Sequence, residues 1–459
     1  MNSPTIRSSF APYKESLTGT ARRLALGEIT SRALVEHFIE KIETCDNARA
    51  AYTEEFSADR ARQYADAADR IRAKGYEASP WSGLPISIKD LFDIKGQVTR
   101  AGSTILSGRP VALNDAEAIA PLRAAGFIFL GRTQMTEFAY SGLGLNPHYP
   151  QPWNTLVEEG RAIPGGSSSG GAISVATGAA LASIGSDTGG SCRIPAAMNG
   201  LTGFKPTAGH ISRKGMIPLS PSLDSVGSIA QTVEDCALLD HIMAGRHEKW
   251  TSVEAEEGPI RLLLPTSIVR NEADPQVLAV FEAVIRHLEA GGIEIVRQPL
   301  PLLQDIIDLN LQGQIVAAEA YHYFHDDLIH HEQDFDPRVK ERIIMGARTT
   351  VQELRQLYIE RQKLCTRFNA DMNGFDALVC PTSPILPPLI AECDEPAQYG
   401  RLNRLVLRNP SLANLLDGCS FSLPFYWQGL AAGLMLTACH GRDNILTRIA
   451  RRCEARLKG

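Results

Sequence analysis

The residues from Pro164 to Pro206 constrain this chain more than any other stretch. They read Pro-Gly-Gly-Ser-Ser-Ser-Gly-Gly through Gly171, then a small-residue run from Ala172 to Ala182, then Gly-Ser-Asp-Thr-Gly-Gly-Ser-Cys-Arg-Ile-Pro through Pro195. Two glycine-wrapped serine loops therefore flank one helix-like and one strand-like segment. Glycine at this density lets the backbone take unusual dihedrals and bring main-chain N–H groups close to a bound group. A serine hydroxyl in such a loop is a weak nucleophile until a base activates it. The base has to come from elsewhere in the chain.

One candidate lies upstream, in Leu84-Pro85-Ile86-Ser87-Ile88-Lys89-Asp90. Strand alternation puts Ser87 and Lys89 on one face and Ile86 and Ile88 on the other. A lysine closing an apolar strand is usually a solvated end. Pointing inward, it loses solvation, its pKa falls, and it becomes a general base.

Around these motifs the hydrophobic periods alternate. Leu34, Val35, Phe38, Ile39 and Ile42 recur at helical spacing, and Asp59 to Lys74 reads as a second helix. Ala116 to Ala125 is expected to be helical and to stop at Gly126, before a buried strand from Phe127 to Leu130. Further strands are expected at Ile260 to Leu264, Ile293 to Val296, Ala377 to Cys380 and Gly433 to Ala438. Helices fill Pro275 to Glu289, most of Asp305 to Arg367, and Asn444 to Leu457. Such alternation indicates an α/β protein. The acidic stretch Glu254 to Gly258 is the one linker candidate.

Composition narrows the function. The chain has 459 residues, 44% hydrophobic and 21% charged, which suits a large globular core. A net charge of −6 offers no basic face to nucleic acid. No apolar run approaches the ~18 residues of a spanning helix. Met1 to Tyr13 has no hydrophobic signal core, so a cytoplasmic protein is expected. Nine scattered cysteines form neither a disulfide framework nor a zinc pattern, and suit buried positions in a reducing compartment.

Several short motifs compete with the serine loops and fall away. Gly166-Ser167-Ser168-Ser169-Gly170 matches a G-x-S-x-G elbow with Ser168 as nucleophile, but the elbow needs a buried strand directly before it, and Glu158 to Pro164 is charged and ends in proline. Gly171-Ala172 stands where a phosphate loop needs Lys-Ser/Thr. His322, His325, His330 and His331 share a helical region without the H-E-x-x-H of a zinc helix, and read as a solvated face. Cys192 has no partner histidine nearby in sequence and reads as a packed small residue.

Lys89, Ser167 and Ser191 remain, and here the sequence resembles the amidase signature hydrolases. The resemblance rests on Pro85-Ile86-Ser87-Ile88-Lys89-Asp90, on Gly165-Gly166-Ser167-Ser168-Ser169-Gly170 and on Gly185-Ser186-Asp187-Thr188-Gly189-Gly190-Ser191. Arg193-Ile194-Pro195-Ala196-Ala197 and Gly200-Leu201-Thr202-Gly203-Phe204-Lys205-Pro206-Thr207 extend it. Ser167 and Ser191 stand 24 positions apart, similar to the family's spacing. The signature covers about 84–227, with weaker similarity from Ser31 to the C-terminal helix.

The resemblance implies one α/β amidase domain over 1–459, a large mixed sheet wrapped by helices, whose C-terminal part (about 260–459) helps shape the substrate pocket. It implies a Ser–Ser–Lys triad: Ser191 as the acylated nucleophile, Ser167 as proton relay after a cis peptide from Gly166, and neutral Lys89 as acceptor. Main-chain N–H groups around Thr188, Gly189 and Gly190 would form the oxyanion hole, with Ala139 and Ser141 also on the oxyanion and substrate side. Asp187 and Arg193 would be supporting residues. The chemistry is coherent by itself, since amide hydrolysis needs an activated nucleophile, an acid for the leaving amine and donors for the oxyanion.

Three departures from the family pattern leave the triad whole: Cys192 in place of an aliphatic residue, Asn154-Thr155 without the following proline, and extra loop at Glu158-Glu159-Gly160. The expected activity is cleavage of a C–N amide bond in a small molecule, without metal or organic cofactor. The expected partner is that substrate, with neither nucleic acid nor membrane, and with the oligomeric state open, a homodimer included. Two rivals stand beside it: a glutamine-hydrolysing subunit of a tRNA-dependent amidotransferase, and a non-catalytic binding protein of the same fold.

Overall fold

The computed structural model describes residues 15–53, 56–246, 248–313, 315–427 and 430–458. Ten strands form one mixed sheet: β1 (Pro85–Lys89), β2 (Ile128–Thr133), β3 (Ser183–Asp187), β4 (Thr202–Lys205), β5 (Ser225–Ala230), β6 (Ile260–Pro265), β7 (Ile293–Gln298), β8 (Ala377–Pro381), β9 (Cys419–Trp427) and β10 (Leu430–Ala438). Their order across the sheet is β2-β1-β3-β5-β4-β9-β10-β8-β6-β7. Parallel pairings join β1 to β2 and β3 at one end, and β6 to β7 and β8 at the other. Antiparallel strands fill the middle. Helices cover both faces, the expected consequence of parallel crossovers, and β1, β2 and β3 are buried throughout.

The amphipathic helix Ser31–Thr44 forms as its spacing predicts, capped by the Thr30 side chain, which accepts from Ala33 N, and burying Leu34, Val35, Phe38, Ile39 and Ile42. The second helix spans Ala58–Arg72. The third is shorter than expected, Ala120–Ala124, with Pro121 in its first turn. Proline has no N–H to bond back to Glu117, so regular helix cannot extend upstream of it.

Three strands have no forecast. β4 and β5 are short and rich in Ser, Thr and Gly, with no apolar alternation to announce them. β9 contains Pro424, which argues against an interior strand. The register resolves this: β4 pairs with β9 only at Ser420, Phe421 and Ser422, so Pro424 lies beyond the end of β4 and breaks no ladder bond there. Where the strands do pair, the Phe204 and Phe421 rings stack at 4.0 Å.

The acidic stretch at 254–258 is not a linker between domains, because the strands before and after it belong to one sheet. Its Glu256 packs on the C-terminal helix Asp443–Lys458, accepting from Arg452 at its carbonyl (2.7 Å) and pairing with Arg448 at 3.4 Å. His322, His325, His330 and His331 are all exposed on the helix Ile315–His331. Among the described residues no helix is long and apolar enough to cross a membrane. The N-terminal reading of Met1 to Tyr13 lies outside the described residues.

Candidate active site

Two adjacent parallel strands bring the serine loops and the lysine together. β1 ends at Lys89 and β3 ends at Asp187, so their carboxyl ends emerge on one edge of the sheet, where open α/β sheets hold their ligands. Lys89 points inward and is fully buried. Its Nζ donates to Ser167 Oγ at 2.8 Å and to Ser186 Oγ at 2.9 Å. Burial penalises the ammonium and brings its pKa down to about 8. The neighbouring Asp90 and Arg132 form a buried ion pair at 2.6 Å that pins the end of the strand.

The first serine loop crosses from Gly165 to the helix Ser169–Ala176, with a cis peptide between Gly166 and Ser167. A Cβ on Gly166 would lie 2.5 Å from Gly144 N, so only glycine lets the two backbones approach this closely. Ser174 of the helix meets Ser87 of β1 at 2.9 Å, so Ser87 faces the helix that the Ser167 loop leads into.

The second loop is organised by Asp187. Its carboxylate accepts from Gly190 N (2.8 Å) and Cys192 N (3.1 Å), and from Arg193 Nη at 2.8 Å and Nε at 3.1 Å. Burial opposes this charge, but Arg193 and the hydrogen bonds hold its pKa at about 2. Asn414, from the helix Pro396–Leu415, donates to the Asp187 carbonyl at 2.9 Å, and its own side-chain oxygen accepts from Arg193. Gly190 sits at φ +122°, and a Cβ there would strike Pro410 of that helix. Thr188 Oγ1 donates to the buried Asp224 at 2.6 Å. The two loops are joined by Ser168 N donating to Ser191 O at 3.2 Å. No hydrogen bond links the Ser167 and Ser191 hydroxyls.

Ser191 is 3% exposed and opens on a cavity. Thr188 and Gly189 stand beside it, Ala139, Tyr140 and Ser141 face it, and Leu219, Leu223, Val316, Leu407 and Leu415 make the wall apolar. Asn310, Ser411 and Arg342 add polar groups. The cavity thus takes residues from both halves of the chain. Lys89 and Ser167 are not among the described residues that line it.

The ten residues expected at the site from the sequence lie in this region, with two refinements. The Gly190 N–H is already given to Asp187, whereas those of Thr188, Gly189 and Ser191 donate to no described residue. The Ser141 hydroxyl donates to Asn403 Oδ1 (3.1 Å) and accepts from Tyr399 (2.8 Å), so it braces the wall of the cavity. Cys192 packs with Ala172, Val175, Ala196 and Leu201 under the loop, and burial pushes its thiol up to about 12. A thiol this hard to ionise is a poor nucleophile. Sequence reasoning missed Ser186, Asp224, Asn414 and Arg342. Ser186 stood inside the quoted loop, but nothing local distinguishes it from the other serines there.

Known proteins match at the level of the whole chain. The amidase family model matches residues 33–446. The 2-amino-5-chloromuconic acid deaminase of Comamonas testosteroni is 32% identical over 89% of this chain and 88% of that protein. A glutamyl-tRNA(Gln) amidotransferase subunit of Koribacter versatilis is 33% identical over 95% of this chain and 98% of its own. A crystal structure of an amidase superposes with a TM-score of 0.87 at 30% identity, covering 96% of this chain and 100% of that one. The match spans the β1 lysine, both serine loops and the cavity-lining helices: this chain belongs to the amidase family, hydrolases of carbon–nitrogen bonds.

Proposed function

We propose that this chain hydrolyses the amide of a small molecule through an acyl-enzyme on Ser191, in the cytoplasm, where nine unpaired cysteines suit a reducing compartment. The observation that carries the reading is a fully buried lysine 2.8 Å from Ser167, in the loop that is bonded to the serine opening on the cavity. Ser191 Oγ attacks the amide carbonyl while its proton passes to Ser167, whose own proton passes to neutral Lys89. The N–H groups of Thr188, Gly189 and Ser191 receive the oxyanion, while Gly190 keeps the loop closed on Asp187. Lys89 then returns its proton through Ser167 to the leaving nitrogen, the C–N bond breaks, and ammonia or an amine departs. Water attacks the Ser191 ester by the same relay and releases the acid.

A serine-directed phosphonate tests the nucleophile. It should add its mass to the peptide containing Ser191 and abolish turnover. Labelling of Ser168 with Ser191 untouched would restore the nucleophile-elbow mechanism, and no acylation at all would favour a binding protein.

The likeness to the amidotransferase protein over nearly its whole length favours a second reading, a glutamine-hydrolysing subunit that passes ammonia to a partner. Ammonia release from small amides by the isolated chain supports the first reading. Glutamine hydrolysis that appears only with a stoichiometric copurifying protein supports the second.

A further inference from the structure

Two buried carboxylates hold the loop that carries Ser191, and they are built differently. Asp187 accepts from Gly190 N and is matched by the Arg193 guanidinium at 2.8 Å. Asp224, just before β5 and 1% exposed, accepts from Thr188 Oγ1 at 2.6 Å, from Leu219 N at 3.0 Å and from Ser220 N at 3.1 Å. All three donors are neutral. Among the described residues the Asp224 carboxylate forms no ion pair, and Arg213 reaches its main-chain carbonyl at 3.4 Å. Burial accordingly pushes its carboxyl up to about 6.

A carboxylate buried without a counter-charge is a costly way to hold a loop. It does supply a strong bond, since 2.6 Å is the length of a hydroxyl donating to an ionised oxygen. That bond sits at an exacting place. Thr188 and Gly189 line the cavity beside Ser191, and Leu219 and Leu223 belong to its apolar wall. Asp224 is bonded to both, to Thr188 in the serine loop and to Leu219 in the wall. The wall segment has a second anchor: Ser222 N donates to Glu319 at 3.2 Å, and the Ser220 hydroxyl bonds to the same carboxylate. Asp224 therefore ties the serine loop to a fixed support and sets the spacing between the N–H groups at Thr188 and Gly189 and the wall.

We infer that Asp224 is a positioning residue for the hydrolysis: through Thr188 it fixes the oxyanion-binding N–H groups against the cavity wall. This rests on the amidase reading above and adds to it a residue that does not line the cavity.

The test reads the oxyanion site with ethyl p-nitrophenyl methylphosphonate, so the natural amide is not needed. Ser191 Oγ bonds to phosphorus, p-nitrophenolate leaves, and the serine proton passes through Ser167 to Lys89, leaving the phosphoryl oxygen where the oxyanion would sit. Thr188→Val removes the hydroxyl but keeps the side-chain shape and the main-chain N–H. It should lower the saturating rate of p-nitrophenolate release by roughly ten- to a hundredfold, the range for a displaced catalytic group. The half-saturating concentration should stay within about threefold, because the lost contact acts on the transition state. Thr188→Ser, which keeps the hydroxyl, should remain within about threefold of wild type in both. Adding Thr188→Val to Asp224→Ala should slow the reaction little beyond Asp224→Ala alone, since the two residues form one contact. Circular dichroism checks each fold, and if Asp224→Ala does not fold the two Thr188 variants decide. Thr188→Val reacting at the wild-type rate, Thr188→Ser falling as far as Thr188→Val, a loss confined to the half-saturating concentration, or full additivity overturns the inference. Wild-type protein never phosphonylated at Ser191 overturns the amidase reading and this inference with it. A labelled wild type with an indifferent Thr188→Val overturns this inference alone.

Discussion

Lys89 and Lys205 are two lysines in nearly the same predicament. Each closes a buried strand, β1 or β4, and each is at most 1% exposed. Burial brings both pKa values down to about 8, and the nearby Arg193 guanidinium pushes Lys205 the same way. Their partners differ. Lys205 donates to Pro206 O at 2.7 Å and, at 3.2 Å, to Ser225 Oγ of β5, an interior strand. Lys89 donates to Ser167 Oγ, a hydroxyl that can give up a proton, in the loop bonded to Ser191. A depressed pKa thus reports desolvation. What separates a base from a buried structural cation is a proton-bearing neighbour leading to a cavity.

The largest effect should come from exchanging the two. Lys89→Ala is expected to lower kcat/KM by roughly a thousandfold or more, as loss of one member of a catalytic unit does. Lys205→Met, with the fold checked by circular dichroism, should stay within about tenfold of wild type, a barrier change near 1.4 kcal/mol. Equal losses would erase the distinction between the two lysines.

The next effect sharpens the Lys89 side. Ser167→Ala should cut kcat far more than Ser168→Ala, whose hydroxyl donates to Ser186 O at 3.4 Å and not to Lys89. Adding Ser167→Ala to Lys89→Ala should cost much less than the two single losses combined, because the pair works as one relay. Full additivity in folded protein would mean that no proton passes between them, even with Ser191 as nucleophile.

The pH dependence separates rate from stability. If neutral Lys89 is the base, kcat/KM should rise with pH through about 8, and Lys205→Met should leave that limb in place. A limb unmoved by Lys89→Ala would count against Lys89 as its source. For stability the two lysines should act alike. Each has a folded pKa below its unfolded value of ~10.4, so between about 8 and that value the unfolded chain binds more protons. Stability should therefore rise with pH across this window, and the penalty is constant below it. Urea titrations at pH 8 and pH 10 should show each single substitution removing a similar share of the rise.

The smallest effect concerns Cys192, next to the nucleophile. Cys192→Ala should cost about 1 kcal/mol of stability, the scale of a small buried group lost from a packed cluster, and leave kcat within a few-fold of wild type. A loss of activity matching that of Ser191→Ala would return the thiol to the mechanism.

Side-chain order along the chain was enough to read the strand that ends in Lys89, the amphipathic helix around Phe38, the strands near Leu262 and Val379, and both serine loops. Periodicity and glycine punctuation are local, and each needs only its own neighbours to be read. The partners of those residues were not local. Lys89 meets Ser186 as well as Ser167 because the sheet order sets β1 beside β3. The Gly190 N–H is withdrawn from the cavity because Asp187, three residues earlier, curls back to accept it beside Arg193. β9 tolerates Pro424 because β4 stops short of it. Arg342 reaches the Ser191 cavity only because the helix Pro337–Met345 packs on a turn two hundred residues upstream. Residue types and their spacing determined which groups this protein has for chemistry. Tertiary structure decided which of them meet, because a hydrogen bond depends on distance in space, and strand order and helix packing set that distance with no trace in local sequence.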